Sequence, residues 1–297
     1  MIRTGRRYST GDSISASCHG KDRQTLSSPP SFPPDTRFFS VQHTNSIVPG
    51  KISSMPIKIQ IMTTALLLLA SILLSGLTDI DLSIQDRLYD FAHHTWRLEK
   101  KAEPFHTLLY SGAKKIFISI GVGFLLVYIF FRNHPAIRPC KQGMMIVLLS
   151  LVLVPSVIGG LKKATNMPCP RHEIHYGGEY PHTAVWESWP PAFQNQKKVE
   201  CWPAGHASGG FALASLFFLF QRRRDKTLVL LVVLPIAWAT GIYKMLVGDH
   251  FFSHTLITML MAWLIILIVA TGVEKFSSQQ TDIKEPLIHD PASCDAK

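Results

Sequence analysis

Two lysines and two histidines stand out because each lies near the end of a long apolar segment of the chain. They are Lys162, His206, Lys244 and His250. Lysine ammonium groups bind phosphate oxygens with full charge, and a histidine can attack phosphorus directly to form a covalent phosphohistidine. A second histidine, placed opposite, can protonate the departing alkoxide and later activate water. Gathered in one place, these four side chains would make a site for phosphoryl chemistry.

The apolar segments predict membrane-spanning helices. The chain has 297 residues, of which 47% are hydrophobic and only 17% are charged, whereas a soluble domain usually carries about 25% charged residues. Six charge-poor runs approach the ~20 residues that a helix needs to cross a bilayer. They cover residues 59–78, 116–131, 142–161, 202–221, 227–247 and 250–273. We therefore expect an all-α fold, a six-span integral membrane helical bundle over residues 59–273.

Basic residues in the short loops orient the predicted spans, because such loops stay on the cytoplasmic side. The loops at residues 132–141 and 222–226 are rich in Arg and Lys. With both loops inside, the third and fifth spans end outside at Lys162 and Lys244, and the fourth and sixth spans begin outside with the two histidines. All four side chains then face one outer pocket, next to an outer loop at residues 163–201.

The remaining segments are interpreted from their composition. Residues 1–58 form a basic tail rich in Ser, Pro, Thr and Gly, which predicts a disordered cytoplasmic extension. A true start at Met55 or Met62 is the alternative, and the tail would then not belong to the protein. Residues 79–115 lie outside and have apolar positions that suggest an amphipathic interfacial helix. Residues 274–297 are predicted to be a cytoplasmic C-terminal tail.

Three motifs follow one another between Lys162 and Thr255. They read Lys162-x6-Cys169-Pro170, then Pro203-Ala204-Gly205-His206, then Lys244-x5-His250-x3-His254. This order resembles the type 2 phosphatidic acid phosphatase and vanadium haloperoxidase superfamily, whose motifs are Lys-x6-Arg-Pro, Pro-Ser-Gly-His and Ser-Arg-x5-His-x3-Asp. The resemblance implies a helical membrane core and a metal-free phosphohistidine mechanism, with His250 as nucleophile and His206 as general acid.

The resemblance also implies the phosphate-binding set. Lys162 and Lys244 match positions that hold phosphate oxygens, and the backbone amides at Ala204 and Gly205 open a helix, where anions bind. Because Cys169 stands at the position of the motif arginine, we expect Arg171 to replace that arginine, with Lys163 as another candidate.

His254 stands where the third motif has Asp, and we expect it to orient His250. The pair could instead bind zinc through its four-residue spacing, but the chain has no H-E-x-x-H pattern, so no metal and no other cofactor is expected.

Cys169 and Cys201 bracket the outer loop. In an oxidising exterior they are expected to form a disulfide, and two free buried thiols are the alternative.

The function expected from these residues and from the resemblance is metal-independent dephosphorylation of a lipid phosphate or pyrophosphate at the outer face of the membrane. The chain length favours a bacterial inner membrane with the site facing the periplasm. A phosphotransferase that moves the phosphoryl group from a lipid pyrophosphate to another lipid, and a non-catalytic lipid-binding membrane protein, are the alternatives. The expected partners are the lipid substrate and the bilayer. Nucleic acid is excluded because no basic stripe carries interleaved stacking aromatics. The lipid headgroup and tail and the oligomeric state stay open.

Overall fold

The structure is a computed structural model that describes residues 55–284. Most of the predicted basic tail, and residues 285–297 of the predicted C-terminal tail, lie outside the described residues. The described part is mostly helical, as predicted. The helices are α1 (Ile57–Leu77), α2 (Ile80–Asp86), α3 (Ala113–Phe131), α4 (Lys141–Ala164), α5 (Gly205–Ala212), α6 (Arg223–Leu246) and α7 (Phe252–Lys284).

Five of the described helical stretches are long and apolar enough to cross a membrane, with mean hydropathies of 1.9 to 2.6. They are Ile57–Leu77, His106–Phe131, Arg138–Ala164, Arg223–Leu246 and Phe252–Gln279. They correspond to the first, second, third, fifth and sixth predicted spans, so the protein is an integral membrane protein. The second stretch begins with a π-helical turn, His106–Gly112, that leads into α3. The last helix continues beyond the predicted end of its span, through Lys284.

The fourth predicted span has a different form. Its helical part is α5 followed by a 3-10 helix at Leu213–Phe218, which is too short to count among the five. It lies against α4 at both ends, because a Cβ at Gly205 would lie 3.8 Å from the Lys162 side chain, and a Cβ at Gly143 would lie 2.5 Å from the Phe218 carbonyl oxygen. The segment therefore runs antiparallel to α4 along nearly its whole length, and glycine at position 143 permits the close approach.

The core lies around α5, and the periphery is formed by α1 and α3. Phe211 of α5, Ile158 of α4, Ala237 of α6 and Ile266 of α7 are each at most 1% exposed and pack in one cluster. Small residues on α5 let the neighbouring helices approach closely. In contrast, α1 buries only Thr64 and α3 buries none of its side chains, so both turn apolar side chains outward, as expected for helices that face lipid.

The outer segment between α1 and α3 is not the interfacial helix that its apolar residues suggested. Before the π-helical turn at His106–Gly112, α2 is its one helical part, and the chain then forms a hairpin of β1 (Tyr89–Asp90) and β2 (Thr95–Trp96). The Asp90 carboxylate accepts hydrogen bonds from the backbone N–H groups of Ala92 and His93, at 2.9 and 3.3 Å. Such a side-chain turn competes with helix formation, which explains why the helical pattern breaks here.

The turn between α6 and α7 carries the third motif. It lies between Leu246 and Phe252, so His250 precedes α7 instead of belonging to it, which corrects the predicted start of the sixth span. Gly248 has a φ of 73° and packs against the indole of Trp96. From α2, Asp81 accepts a 2.9 Å hydrogen bond from the Ser253 N–H and a second one from the Ser253 hydroxyl. The carboxylate therefore satisfies an otherwise unpaired amide at the start of α7.

Candidate active site

A cavity of about 490 Å³ lies where α4 ends, α5 begins and α6 is joined to α7. It is lined by His206 of the second motif, by His250 of the third motif and by side chains of the outer segments. The lining residues that carry the argument are Lys100, Lys162, His172, His206, Asp249 and His250. The structure thus brings together the histidines and Lys162 that the sequence analysis placed in one pocket.

His206 and His250 face each other across this cavity. His206 is the second residue of α5, and His250 belongs to the turn before α7. Their ring centroids are 6.2 Å apart. A nucleophile approaches phosphorus to about 3–3.5 Å, and an acid must reach the leaving oxygen at about 2.6–3.2 Å. Both rings line the same cavity, so the pair can act on one bound phosphate as nucleophile and acid.

His250 is 2% exposed. Its burial, aided by the neighbouring His254, holds the pKa of His250 well below its ordinary value, which keeps the imidazole neutral and its lone pair available. The Nδ1 atoms of His254 and His250 are 3.4 Å apart. This contact leaves Nε2 of His250 as the nitrogen for a substrate. His254, which is fully buried, therefore lies where the sequence analysis expected an orienting group.

Asp249 gathers three cations beside the cavity. Its carboxylate lies 2.8 Å from Lys244 Nζ, 3.2 Å from Lys100 Nζ and 3.3 Å from Arg171 Nε. Burial works to raise the pKa of Asp249, but the hydrogen bond from Lys244 and the charges of Lys100 and Arg171 outweigh it and hold this pKa below its ordinary value. The carboxylate is thus an anion that faces the cavity with cations around it, a role that the sequence analysis did not foresee.

Arg171 and Lys244 lie behind Asp249 and do not line the cavity. The side chain of Lys244 is only 4% exposed. Arg171 donates a 2.6 Å hydrogen bond to the Val247 carbonyl, and its backbone N–H donates to the Gly248 carbonyl at 3.0 Å. The chain just after the first motif is therefore hydrogen-bonded to the turn between α6 and α7. Arg171 contacts Asp249, which lines the cavity.

The second motif places one of its two expected amides against α7. Ala204 is fully buried, and its N–H donates a 2.9 Å hydrogen bond to the Thr258 hydroxyl of α7. This amide is thus already hydrogen-bonded within the protein, and its predicted binding of phosphate stays a prediction. Gly205 lies beside the Lys162 side chain.

Cys169 and Cys201 form a disulfide with a Cα–Cα distance of 5.2 Å. Both cysteines line the cavity together with His172. The donor atoms of the three side chains lie within 4.8 Å of one another, close enough for a metal site. A metal would need thiolates, but both sulfurs belong to the disulfide. The cysteines therefore link the first motif covalently to the residues just before the second motif.

Three lysines of the cavity were missed by the sequence analysis. Lys100 comes from the outer segment, and Lys197 and Lys198 come from the end of the outer loop. No motif spacing marks them, because their position depends on how these segments fold over the membrane helices. The adjacent pair at 197 and 198 was the only available signal.

Residues 143–278 match the family model described as the PAP2 superfamily. The matched range includes the second and third motifs and most of the helices that hold them. Comparisons with curated proteins and with solved structures give no significant match.

Proposed function

We propose that this protein, whose residues 143–278 match the PAP2 superfamily model, dephosphorylates a lipid phosphate or pyrophosphate. Phosphatases belong to that superfamily, so the match supports hydrolysis of phosphoric esters. The observation that carries the proposal is the pair of imidazoles, His206 and His250, whose rings lie 6.2 Å apart across one cavity.

The proposed reaction has two steps. In the first, Nε2 of His250 attacks phosphorus, the bond from phosphorus to the leaving oxygen breaks, and His206 donates its proton to that oxygen. In the second, the now neutral His206 takes a proton from water, the water oxygen attacks phosphorus, and phosphate leaves as His250 is regenerated. Neither step needs a metal. Lys162 faces the same cavity and can neutralise the phosphoryl oxygens.

We further propose that the helical segment at residues 205–218, between α4 and α6, also crosses the membrane. The number of crossings is then six. The α-helical and 3-10 parts of the segment together rise roughly 24 Å, close to the ~30 Å hydrocarbon thickness. Its antiparallel course from Lys162 to Gly143 of α4 supports this. The basic residues at 222–226 follow it at the far end, which favours a cytoplasmic position there.

The site would then face the outer side of the membrane, for which we propose the periplasmic face of a bacterial inner membrane. The disulfide between Cys169 and Cys201 supports an oxidising compartment. The surrounding apolar helices favour a substrate whose phosphate is attached to a lipid, since such a substrate already resides at the mouth of the cavity.

The test uses the full chain purified in detergent with a chelator. Phosphate release is measured from a panel of lipid phosphates and pyrophosphates for wild type, His250→Ala and His175→Ala. His175 is a matched control because it is a histidine of the outer loop that pairs with Asp86 and does not line the cavity. Release only by wild type and His175→Ala supports the proposal, and equal release by His250→Ala would refute it. Loss of wild-type activity with the chelator would contradict the metal-free step. Label transferred to a lipid acceptor would identify a transferase instead of a hydrolase.

A further inference from the structure

The cavity has one cation that comes from outside the matched family region. Lys100 belongs to the outer segment between the hairpin and α3, yet it lines the cavity beside His206 and His250. Its Nζ lies 3.2 Å from Asp249, and its side chain is 54% exposed. Lys100 is therefore both close to the reacting groups and able to move.

The backbone around Lys100 is fixed to α6. The Leu98 N–H donates a 3.2 Å hydrogen bond to the Leu246 carbonyl, and the Tyr243 hydroxyl donates a 2.9 Å hydrogen bond to the Lys100 carbonyl. Both partners belong to the last turn of α6, directly before the turn that carries His250. The backbone is thus held against the site while the ammonium group stays mobile.

The charges around Asp249 show which cation is available to a substrate. Lys244 is 4% exposed and Arg171 is 21% exposed, and both contact Asp249. Lys100 contacts the same carboxylate and is the most exposed of the three. When Lys100 leaves, two cations still neutralise Asp249. Lys100 lines the cavity, whereas Lys244 and Arg171 are not among its lining residues.

We propose that Lys100 is a substrate-binding residue whose ammonium group transfers from Asp249 to an oxygen of the substrate phosphate. This inference rests on the proposed function, because it names a further group that holds the same phosphate. The outer segment is then part of the phosphate site. Before substrate binds, the Asp249 carboxylate pairs with the Lys100 ammonium group and keeps it at the mouth of the cavity.

The experiment compares wild type with Lys100→Ala, Lys100→Arg and Lys101→Ala, each as the full chain in detergent with a short-chain, water-soluble phosphatidic acid. Lys101 is the matched control, since it is the adjacent exposed lysine and does not line the cavity. Loss of one charged hydrogen bond to the phosphate should raise KM about ten- to a hundredfold in Lys100→Ala, with kcat changed less than about twofold. Lys100→Arg should recover most of this loss. Equal KM values for Lys100→Ala and Lys101→Ala would overturn the inference.

A second comparison separates phosphate binding from mere neutralisation of Asp249. If Lys100 only balances that carboxylate, adding Asp249→Asn to Lys100→Ala restores the KM of wild type, which would refute the inference. If Lys100 binds phosphate, the double variant keeps a higher KM than Asp249→Asn alone.

Should wild type release no phosphate from any substrate, the proposed function fails by itself. Binding of inorganic phosphate, measured by calorimetry, then still tests Lys100. Weaker binding by Lys100→Ala than by Lys101→Ala supports the inference, and equal binding refutes it.

Discussion

The matched core, residues 143–278, and the outer segment, residues 79–103, contribute to the same cavity in different ways. The core supplies both imidazoles and Lys162, held by helices whose packing is largely apolar. The outer segment supplies Lys100. It is attached by hydrogen bonds to the last turn of α6 and by an apolar cluster in which Tyr89 and Trp96 pack with Tyr176. The reacting groups are therefore part of the membrane bundle, whereas the charge at its mouth depends on a separately attached layer.

The attachment of the outer segment uses backbone acceptors at the end of α6. Gln85 Nε2 donates a 2.9 Å hydrogen bond to the Met245 carbonyl, and the Leu98 N–H donates to the next carbonyl, that of Leu246. Trp96 covers Gly248. A backbone carbonyl can accept a hydrogen bond whatever side chain its residue carries. The core sequence therefore gives little indication of these contacts.

The largest expected effect concerns the core alone. His206→Asn removes the proposed proton donor, and turnover of lipid phosphates should fall about a hundred- to ten-thousand-fold. An aryl phosphate, whose leaving group needs no proton, should still phosphorylate His250. Because the second step also needs His206, the phosphohistidine should accumulate and be trapped by acid quench and mass spectrometry. An unchanged rate with lipid substrates would exclude His206 as the acid.

The next effect concerns the link between the first two motifs. Cys201→Ala removes the disulfide that closes a loop of 32 residues, and the free energy of unfolding should fall by about 3–4 kcal/mol. Thermal unfolding in detergent measures this. Cys140→Ala is the matched control, because Cys140 is a free, partly buried cysteine among the described residues. Equal stability of the two variants would show that the disulfide does not brace the outer loop.

A smaller effect tests the contact between the two regions. Gly248→Ala forces a side chain into a backbone with φ of 73° and against the Trp96 indole, and the backbone strain alone should cost about 1–3 kcal/mol. Gly159→Ala is the control, because no atom lies within 4 Å of the added Cβ. Adding Trp96→Ala should relieve the clash but not the strain, so the double variant should regain part of the lost stability. No recovery would mean that Trp96 does not press on the turn.

The smallest expected effect concerns the pH dependence of phosphohistidine formation. Burial lowers the pKa of His250 from its ordinary 6.5. A lower pKa keeps the imidazole unprotonated at lower pH, so the rate of phosphohistidine formation should not fall as the pH drops through about 6.5. Rapid quench with an aryl phosphate measures this rate. A tenfold loss per pH unit that begins near 6.5 would indicate an ordinary, solvated nucleophile and would contradict its burial in the core.

The core was largely predictable from the sequence because its signals are long or strongly spaced. Apolar runs marked five of the helices, and the positive loops placed Lys162, His206 and His250 at one end. The outer segment was not predictable, because an Asp90 side-chain turn replaced a helix. The role of Asp249 was not predicted, because it emerges only when the chain turns after Leu246 and brings this carboxylate back onto Lys244. Arg171 lies next to the cavity, but it contacts the Asp249 carboxylate and is not among the lining residues.

The carboxylate of Asp81 has a mechanical consequence. It holds the first turn of α7 while lying only four residues after the end of α1. A helix adjusts its tilt to the thickness of the surrounding bilayer, so a change in the tilt of α1 pulls on the start of α7 and on the imidazoles beside it. Catalytic rate is therefore expected to depend on the acyl length of the host lipid, and reconstitution in bilayers of graded thickness, with Asp81→Ala abolishing the dependence, would reveal it.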